Sequence, residues 1–169
     1  GRLEKQKGFD LLLHAFARLL DSFPDARLSI WGEGSQREYL VTLSESLNIS
    51  GGVRFPGTTE AVLNEVSSAD LLVSSSRYEG FSNVLLEAMA LGTPVVATNC
   101  PGATKELVID GVTGALASSL DEESIYDAMV RALREGSSGI ASTARTHVES
   151  KYGRDEIVRQ YSALIERYV

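Results

Sequence analysis

The stretch from Ser74 to Asn99, SSSRYEGFSNVLLEAMALGTPVVATN, decides the fold of this chain. It overlaps the run DLLVSS (70–75), which is short, apolar and β-branched, as expected of a strand buried on both faces. Ser82 or Asn83 can cap a helix of good helix formers, and Gly92 ends that helix before the next strand, VVAT. Strand, helix and strand in this order predict a parallel α/β unit.

Two glutamates, Glu79 and Glu87, flank the predicted start of this helix. It follows the carboxyl end of a parallel strand, where open α/β sheets bind ligands. The free N–H groups of residues 82–85 favour a phosphate, and Gly80 would let the backbone approach it. Carboxylates beside such a site accept hydrogen bonds from hydroxyls, so a sugar phosphate fits both features. Both glutamates could instead be solvated charges, although the apolar neighbours of Glu87 argue against this.

The string EGFSNVLLE (79–87), followed by AMALGTPVVAT, resembles the nucleotide-sugar signature of the GT4 family of retaining glycosyltransferases, which have the GT-B fold. The opening GRLEKQKGFDLLLHAF resembles that family's first motif, and WGEG, VRFPG and ATKELVIDGVTG follow in the family's order. Several motifs in one order are far more specific than a single motif. The resemblance implies a single Rossmann-like, nucleotide-sugar-binding domain over residues 1–169, the C-terminal half of a GT-B fold.

The resemblance also implies roles for individual residues. Arg2 and Lys7 would clasp the donor diphosphate, Glu79 would hold sugar hydroxyls near the anomeric carbon, and Glu87 would hold the ribose. The catalytic candidates are therefore Arg2, Lys7 and Glu79. Donor contacts are expected from Gly80, Phe81, Ser82, Asn83, Val84, Leu85, Glu87, Gly34, Arg54 and Phe55. A glycosidase nucleophile is a weaker interpretation of Glu79, because no second acid is placed as its partner.

The parent enzyme would transfer a sugar from a nucleoside-diphosphate donor to a glycan, lipid or small-molecule acceptor, with retention at the anomeric carbon. No D-x-D motif or histidine cluster occurs in the sequence. This fits the family's metal-independent chemistry, in which fixed cations neutralise the diphosphate, and no cofactor is expected. Two alternatives stay open at this point: another GT-B enzyme, such as a sugar-nucleotide epimerase or a phosphorylase, and a non-catalytic nucleotide-sugar sensor.

In the family a buried strand directly precedes the Gly1-Arg2 pair, and an acceptor-binding domain precedes that strand. Neither is part of this sequence. By the family's strand order the missing strand would lie between RLSIW and DLLVS, so two strand edges should lack a partner. Either the two strands close this gap directly, or a neighbouring chain fills it, or the fragment is only marginally stable, and we expect low stability or oligomerisation. Because the acceptor would bind to the other domain, we also expect the isolated fragment to transfer no sugar.

Apolar spacing and turn residues predict the other elements. Helices are expected at 9–23, at 35–47, from Thr58 or Thr59 to Ser68, and at 121–135, 138–150 and 154–167, with a break at Gly136. Strands are expected at 26–31, 53–57 and 115–117, and one helical turn within 102–107. Alternating strands and helices predict a parallel sheet with helices on both faces. The turn Gly32-Glu33-Gly34 imitates a dinucleotide fingerprint, but Arg37 occupies the third glycine position.

Composition excludes several classes of protein. The formal charge of −7 and the lack of a basic block argue against nucleic-acid binding. No apolar run is as long as a membrane span, so we expect a cytoplasmic protein, and peripheral membrane association of the parent enzyme is compatible with this composition. The single Cys100 excludes a disulfide framework and is expected to be a buried or loop thiol. His14 shares a helix face with Asp10 and Arg18 and should be solvated.

Overall fold

The computed structural model describes residues 1–134 and 138–167. The predicted break at Gly136 lies outside these residues. The helices are α1 (Phe9–Ser22), α2 (Arg37–Ser46), α3 (Val62–Ser67), α4 (Asn83–Leu91), α5 (Thr104–Leu107), α6 (Glu122–Arg134), α7 (Ser138–Tyr152) and α8 (Arg154–Glu166). The strands are β1 (Leu28–Trp31), β2 (Val53–Gly57), β3 (Leu72–Ser74), β4 (Val95–Thr98) and β5 (Ala115–Ala117).

All strand pairs are parallel. In one sheet β1 pairs with β2, and in a second sheet β4 lies between β3 and β5. Within the described part of the chain no hydrogen-bonded ladder joins β1 to β3. Among the described residues, β1 pairs only with β2 and β3 pairs only with β4, and whether a further strand belongs between them stays a prediction.

Helices cover both faces of the strands, because successive side chains of β4 point alternately into two different cores. Val96 packs into a core with residues of α1, α2 and α6, whereas Val95 and Ala97 pack into a second core with residues of α3, α4 and α7. The predicted fold class, α/β and Rossmann-like with parallel strands and helices on both faces, is confirmed.

The prediction that β3 is buried on both faces is wrong. Its residues Leu72, Val73 and Ser74 are only partly buried, whereas all four residues of β4 are buried. The difference follows from position, because β3 is the edge of its sheet and β4 is its centre. A single apolar run in the sequence does not distinguish these two environments.

The predicted start of α3 is also wrong. The helix begins at Val62, three residues beyond Thr59. The hydroxyl of Thr59 accepts a hydrogen bond from the N–H of Ala61 at 3.0 Å, so it closes a local turn before the helix. The other predictions in this region hold: Gly92 ends α4 with a φ of 79°, and Cys100 is buried, 3.4 Å from the hydroxyl of Thr104.

The last helix exposes an apolar stripe. Val158, Tyr161, Leu164 and Ile165 lie at helical spacing and are 50–65% exposed. None of the helices within residues 1–134 and 138–167 is long and apolar enough to cross a membrane.

Candidate functional site

The candidate site is centred on a contact between Lys7 and Glu79, which lie 72 residues apart in the sequence. The Lys7 ammonium donates to Glu79 Oε2 at 2.5 Å, and the Ser76 hydroxyl donates to the same oxygen at 3.1 Å. The two charged side chains are 22% and 14% exposed, so the pair is largely shielded from water. Two of the three predicted catalytic residues are thus in direct contact.

Local backbone geometry brings these two residues together. Lys5–Lys7 form a 3₁₀ turn that ends at Gly8, whose φ is 62°. We call residues 5–8 the basic turn and residues 75–79 the β3 loop. A Cβ on Gly8 would lie only 2.1 Å from the carbonyl oxygen of Ser75, and the Ser75 hydroxyl donates to the Lys7 carbonyl at 2.9 Å. Glycine is therefore required where the two segments meet, for its left-handed φ and for the close approach.

Arg2 lies on the exposed surface beside this contact. Its guanidinium makes no hydrogen bond or ion pair with any residue in 1–134 or 138–167. The Lys7 side chain passes close to Gly1, because its Cε is 3.7 Å from the position of a Cβ on that residue. Arg2, the second predicted cation, is therefore near Lys7 along the chain and has donors available for a ligand.

The segment that carries Arg2 is fixed to the turn after β1. The N–H of Leu3 donates to the carbonyl of Glu33 at 2.8 Å, and a Cβ on Gly34 would lie 2.5 Å from the Leu3 carbonyl oxygen. Gly34 thus has a structural reason to lack a side chain, and its assignment to the donor stays a prediction. The Glu4 carboxylate accepts hydrogen bonds from the N–H and the hydroxyl of Ser35, which lower the pKa of Glu4.

The first turn of α4 presents unpaired donors. The N–H groups of Asn83, Val84 and Leu85 donate no hydrogen bond to any described residue. The Leu85 side chain is completely buried in the core, so only its backbone can reach a ligand. Ser82, at the N-cap position, is buried and makes no capping hydrogen bond to the described residues. This helix end can accept an anion.

The remaining residues around α4 differ in exposure. Gly80 and Phe81 are exposed, and the Phe81 ring meets the Tyr152 ring edge to face at 5.5 Å. Glu87 is partly buried in the second turn of the helix, which agrees with the expectation that it is not a fully solvated charge.

A second loop, which follows β4, holds the backbone of Glu79. The N–H of Glu79 donates to the carbonyl of Pro101 at 3.0 Å, and the N–H of Ala103 donates to the carbonyl of Gly80 at 3.1 Å. Gly102 has a φ of 121°, and a Cβ there would lie 1.6 Å from the Glu79 carbonyl oxygen. Sequence reasoning missed the roles of Gly102 and of Ser76. The local signals were a Pro-Gly pair and a run of three serines at the end of a strand.

The structure does not bring Arg54 and Phe55 into contact with the Lys7–Glu79 pair. Arg54 donates to the Ser29 hydroxyl at 2.7 Å and lies over the Trp31 ring at 5.9 Å. Phe55 packs against the core, and its carbonyl accepts from Arg37 at 3.1 Å. Their assignment to the donor base stays a prediction.

A cavity of about 740 Å³ lies elsewhere, at the amino ends of the strands. Its lining includes Ala26 before β1, Asp70 before β3 and Pro94 before β4. The Lys7–Glu79 pair and the open N-terminus of α4 lie at the opposite, carboxyl ends of the strands. Ligands bind to open α/β sheets at those ends, so the cavity is not the candidate site. Within the described residues no group of three or more His, Cys, Asp or Glu is placed to hold a metal ion.

Comparison with known families decides the relationship. The family model for glycosyl transferases group 1 matches residues 1–147, a range that contains every candidate site residue. The chain belongs to the group 1 glycosyltransferases. The basic turn, the β3 loop and the start of α4 all lie in the matched region of this glycosyltransferase domain.

Individual relatives agree with this family. The chain is 32% identical over 167 residues to the lipopolysaccharide core biosynthesis glycosyltransferase LpsE of Rhizobium meliloti, covering 98% of this chain and 48% of LpsE. The crystal structure of Anabaena HepE in complex with UDP superposes with a TM-score of 0.85 at 26% identity, covering 99% of this chain and 47% of HepE.

A third comparison is with a structure of domain size. The crystal structure of the C-terminal domain of the group 1 glycosyltransferase LpcC from Francisella tularensis superposes with a TM-score of 0.80 at 26% identity, over 91% of this chain and 84% of that structure. By contrast, the chain spans about half the length of LpsE. It therefore corresponds to the C-terminal domain of a group 1 glycosyltransferase.

Proposed function

We propose that this domain binds a nucleoside-diphosphate sugar at the Lys7–Glu79 contact, and that its parent enzyme is a retaining glycosyltransferase of the GT4 type. One observation carries the proposal: a shielded Lys7–Glu79 pair lies at the carboxyl end of β3, and Glu79 belongs to the loop that leads into the open N-terminus of α4. The UDP bound in the related HepE structure supports a nucleotide ligand.

The diphosphate would be held by Arg2, Lys7 and the first N–H groups of α4. A lysine ammonium has three donors, and Glu79 takes one of them, so Lys7 retains donors for phosphate oxygens. Negative charge develops on the diphosphate as the bond to the sugar breaks. Cations fixed before the reaction stabilise that charge more in the transition state than in the ground state, without a metal ion or a cofactor.

The two glutamates would bind the neutral parts of the donor. Glu79 Oε2 already accepts from Lys7 and Ser76, whereas Oε1 has no partner among the described residues and is available to a sugar hydroxyl. Glu87, one turn inside α4, would accept from the ribose. The acceptor, a glycan, a lipid or a small molecule, would bind mainly to another domain of the parent enzyme, in the cytoplasm.

Calorimetric titration with UDP, GDP and ADP tests the diphosphate clamp. Replacing Arg2 or Lys7 by alanine should raise the dissociation constant by roughly tenfold to a hundredfold, the value of a charge-assisted hydrogen bond. Arg27→Ala is the control, because Arg27 is exposed and lies before the amino end of β1, at the opposite edge of the sheet. Dissociation constants that stay unchanged in both Arg2→Ala and Lys7→Ala would overturn the proposal.

A further inference from the structure

The basic turn and the β3 loop are joined by more than the Lys7–Glu79 contact. Backbone and side-chain groups alternate as donors and acceptors between the two segments. The contacts are Ser75 Oγ to Lys7 O (2.9 Å), Arg77 N to Gln6 O (2.7 Å), Gln6 Nε2 to Tyr78 O (2.9 Å) and Arg77 Nη1 to Lys5 O (2.9 Å). Arg77 takes part in two of them, so it is central to the junction.

The Arg77 guanidinium also forms a bidentate ion pair with Asp10, at the start of α1. Nη1 donates to Oδ1 and Nη2 donates to Oδ2, both at 2.7 Å. The two side chains are 27% and 26% exposed. Two parallel donors and a third bond to the Lys5 carbonyl use the planar fork of arginine, which a lysine ammonium does not reproduce.

The Arg77–Asp10 pair lies close in sequence to both residues of the Lys7–Glu79 contact. Asp10 lies three residues after Lys7, and Arg77 lies two residues before Glu79. The hydrogen bonds of Arg77 go to Asp10 and to the backbone of residues 5 and 6, and none goes to the Lys7 ammonium or the Glu79 carboxylate. The pair therefore fixes the backbone on both sides of the Lys7–Glu79 contact without using the groups that would meet a ligand.

We propose that Arg77 and Asp10 are positioning residues of the nucleotide site, which hold the Lys7 ammonium where it binds the diphosphate. This inference rests on the proposed function. Without the pair, the basic turn would sample other positions, and the ligand would have to order it on binding. Preorganisation of this kind raises affinity by removing that cost.

The chain contains a matched control. Arg131 forms a similar pair with Asp110 through Nη2 (3.0 Å) and Nη1 (3.3 Å), and it also donates to the Leu116 carbonyl at 3.0 Å. This second fork, near the amino end of β5, has the same chemistry but does not join the basic turn to the β3 loop. Arg131→Lys therefore measures how much ligand affinity is lost when a bidentate ion pair is weakened at a position away from the site.

The experiment is a double-mutant cycle on the 169-residue chain. UDP, GDP and ADP are titrated in turn, and the tightest of the three is the probe. Arg77→Lys should raise its dissociation constant roughly tenfold, whereas Arg131→Lys should change it by less than about twofold. In a Lys7→Ala background, Arg77→Lys should add less than about twofold, because Arg77 acts through Lys7. A purely structural role would give the same loss in both backgrounds.

Asp10→Asn tests the same positioning role from the other side of the ion pair, since it keeps an acceptor for Arg77 but removes the charge. It should weaken binding of the probe to the parent chain and leave the dissociation constant of the Lys7→Ala variant unchanged. If Lys7→Ala weakens binding and neither Arg77→Lys nor Asp10→Asn does, the positioning role is wrong and the proposed function stands. If the parent chain and Lys7→Ala bind the probe equally, the proposed function fails and the positioning role fails with it.

Discussion

Gly8 lies where the basic turn meets the β3 loop, and its replacement by alanine tests the geometry of the candidate site directly. Gly8 has a φ of 62°, and an alanine Cβ would lie 2.1 Å from the Ser75 carbonyl oxygen, whereas ordinary contact begins at 3.4 Å. The left-handed conformation alone costs a non-glycine residue about 1–2 kcal/mol. The clash requires the basic turn and the β3 loop to separate by about 1 Å. This would break the 2.9 Å bond between Ser75 and Lys7, worth a further ~1 kcal/mol or more.

Gly92 separates these two effects. It ends α4 with a φ of 79°, but a Cβ there meets no atom within 4 Å. Gly92→Ala should therefore cost only the conformational strain, about 1–2 kcal/mol, whereas Gly8→Ala should cost about 2–4 kcal/mol. Urea denaturation followed by the fluorescence of Trp31, the single tryptophan, measures both free energies of unfolding.

The two variants should also differ in ligand binding. Gly8→Ala moves the turn that carries Lys7, so it should raise the dissociation constant of the nucleoside diphosphate about tenfold or more. Gly92 lies at the far end of α4 from the open N–H groups, and its replacement should leave affinity within about twofold. Equal losses of stability in the two variants, within about 0.5 kcal/mol, would show that the contact with Ser75 does not constrain the site.

The remaining predictions concern carboxylates. Glu87→Gln should weaken the binding of UDP itself, whereas Glu79→Gln should weaken only the binding of a UDP-sugar, because only the sugar reaches Glu79. The expected change in each dissociation constant is roughly threefold to tenfold. Calorimetric titration with UDP and with the UDP-sugar measures both, and equal effects on the two ligands would refute the roles. Hydrogen bonds from Arg77 hold the pKa of Asp10 below its ordinary value, against partial burial. The pair therefore contributes stability above about pH 4 that is lost as the pH falls through the folded pKa, and Asp10→Asn should flatten this acid limb in urea midpoints. An acid limb of the same slope in Asp10→Asn would contradict that assignment.

The elements that sequence predicts well are those whose boundaries are set by adjacent residues. Gly92 ends α4 with a left-handed φ, as expected from turn chemistry, and the helix starts where Ser82 or Asn83 was expected to cap it, although Ser82 makes no capping hydrogen bond to the described residues. The start of α3 was missed because the Thr59 hydroxyl bonds to a turn rather than to the helix. The half-buried state of β3 was missed because burial depends on how many strands flank it.

Asp10 shows the same limit at the site. The sequence places it on a solvated face of α1 with His14 and Arg18, and helical periodicity cannot show its actual partner. That partner is Arg77, 67 residues away. Lys7 was recognised as a site residue only through the resemblance to a family, whereas Glu79 was also expected from its position beside the predicted start of α4. Lys7 and Glu79 come into contact because the basic turn and the β3 loop, which are far apart in the sequence, pack against each other.

The junction joins a single 3₁₀ turn to a loop, and this has a consequence for how the site works. Short polar segments have little conformational preference of their own, so their positions must come from tertiary contacts. In this domain those contacts are a glycine that tolerates a left-handed φ, a bidentate ion pair and backbone hydrogen bonds, all within a few residues of Lys7 and Glu79. The chain carries a net charge of −7, which opposes the approach of a diphosphate. Affinity must then depend on how accurately a few cations are held, and that accuracy is supplied by residues that themselves need not touch the ligand.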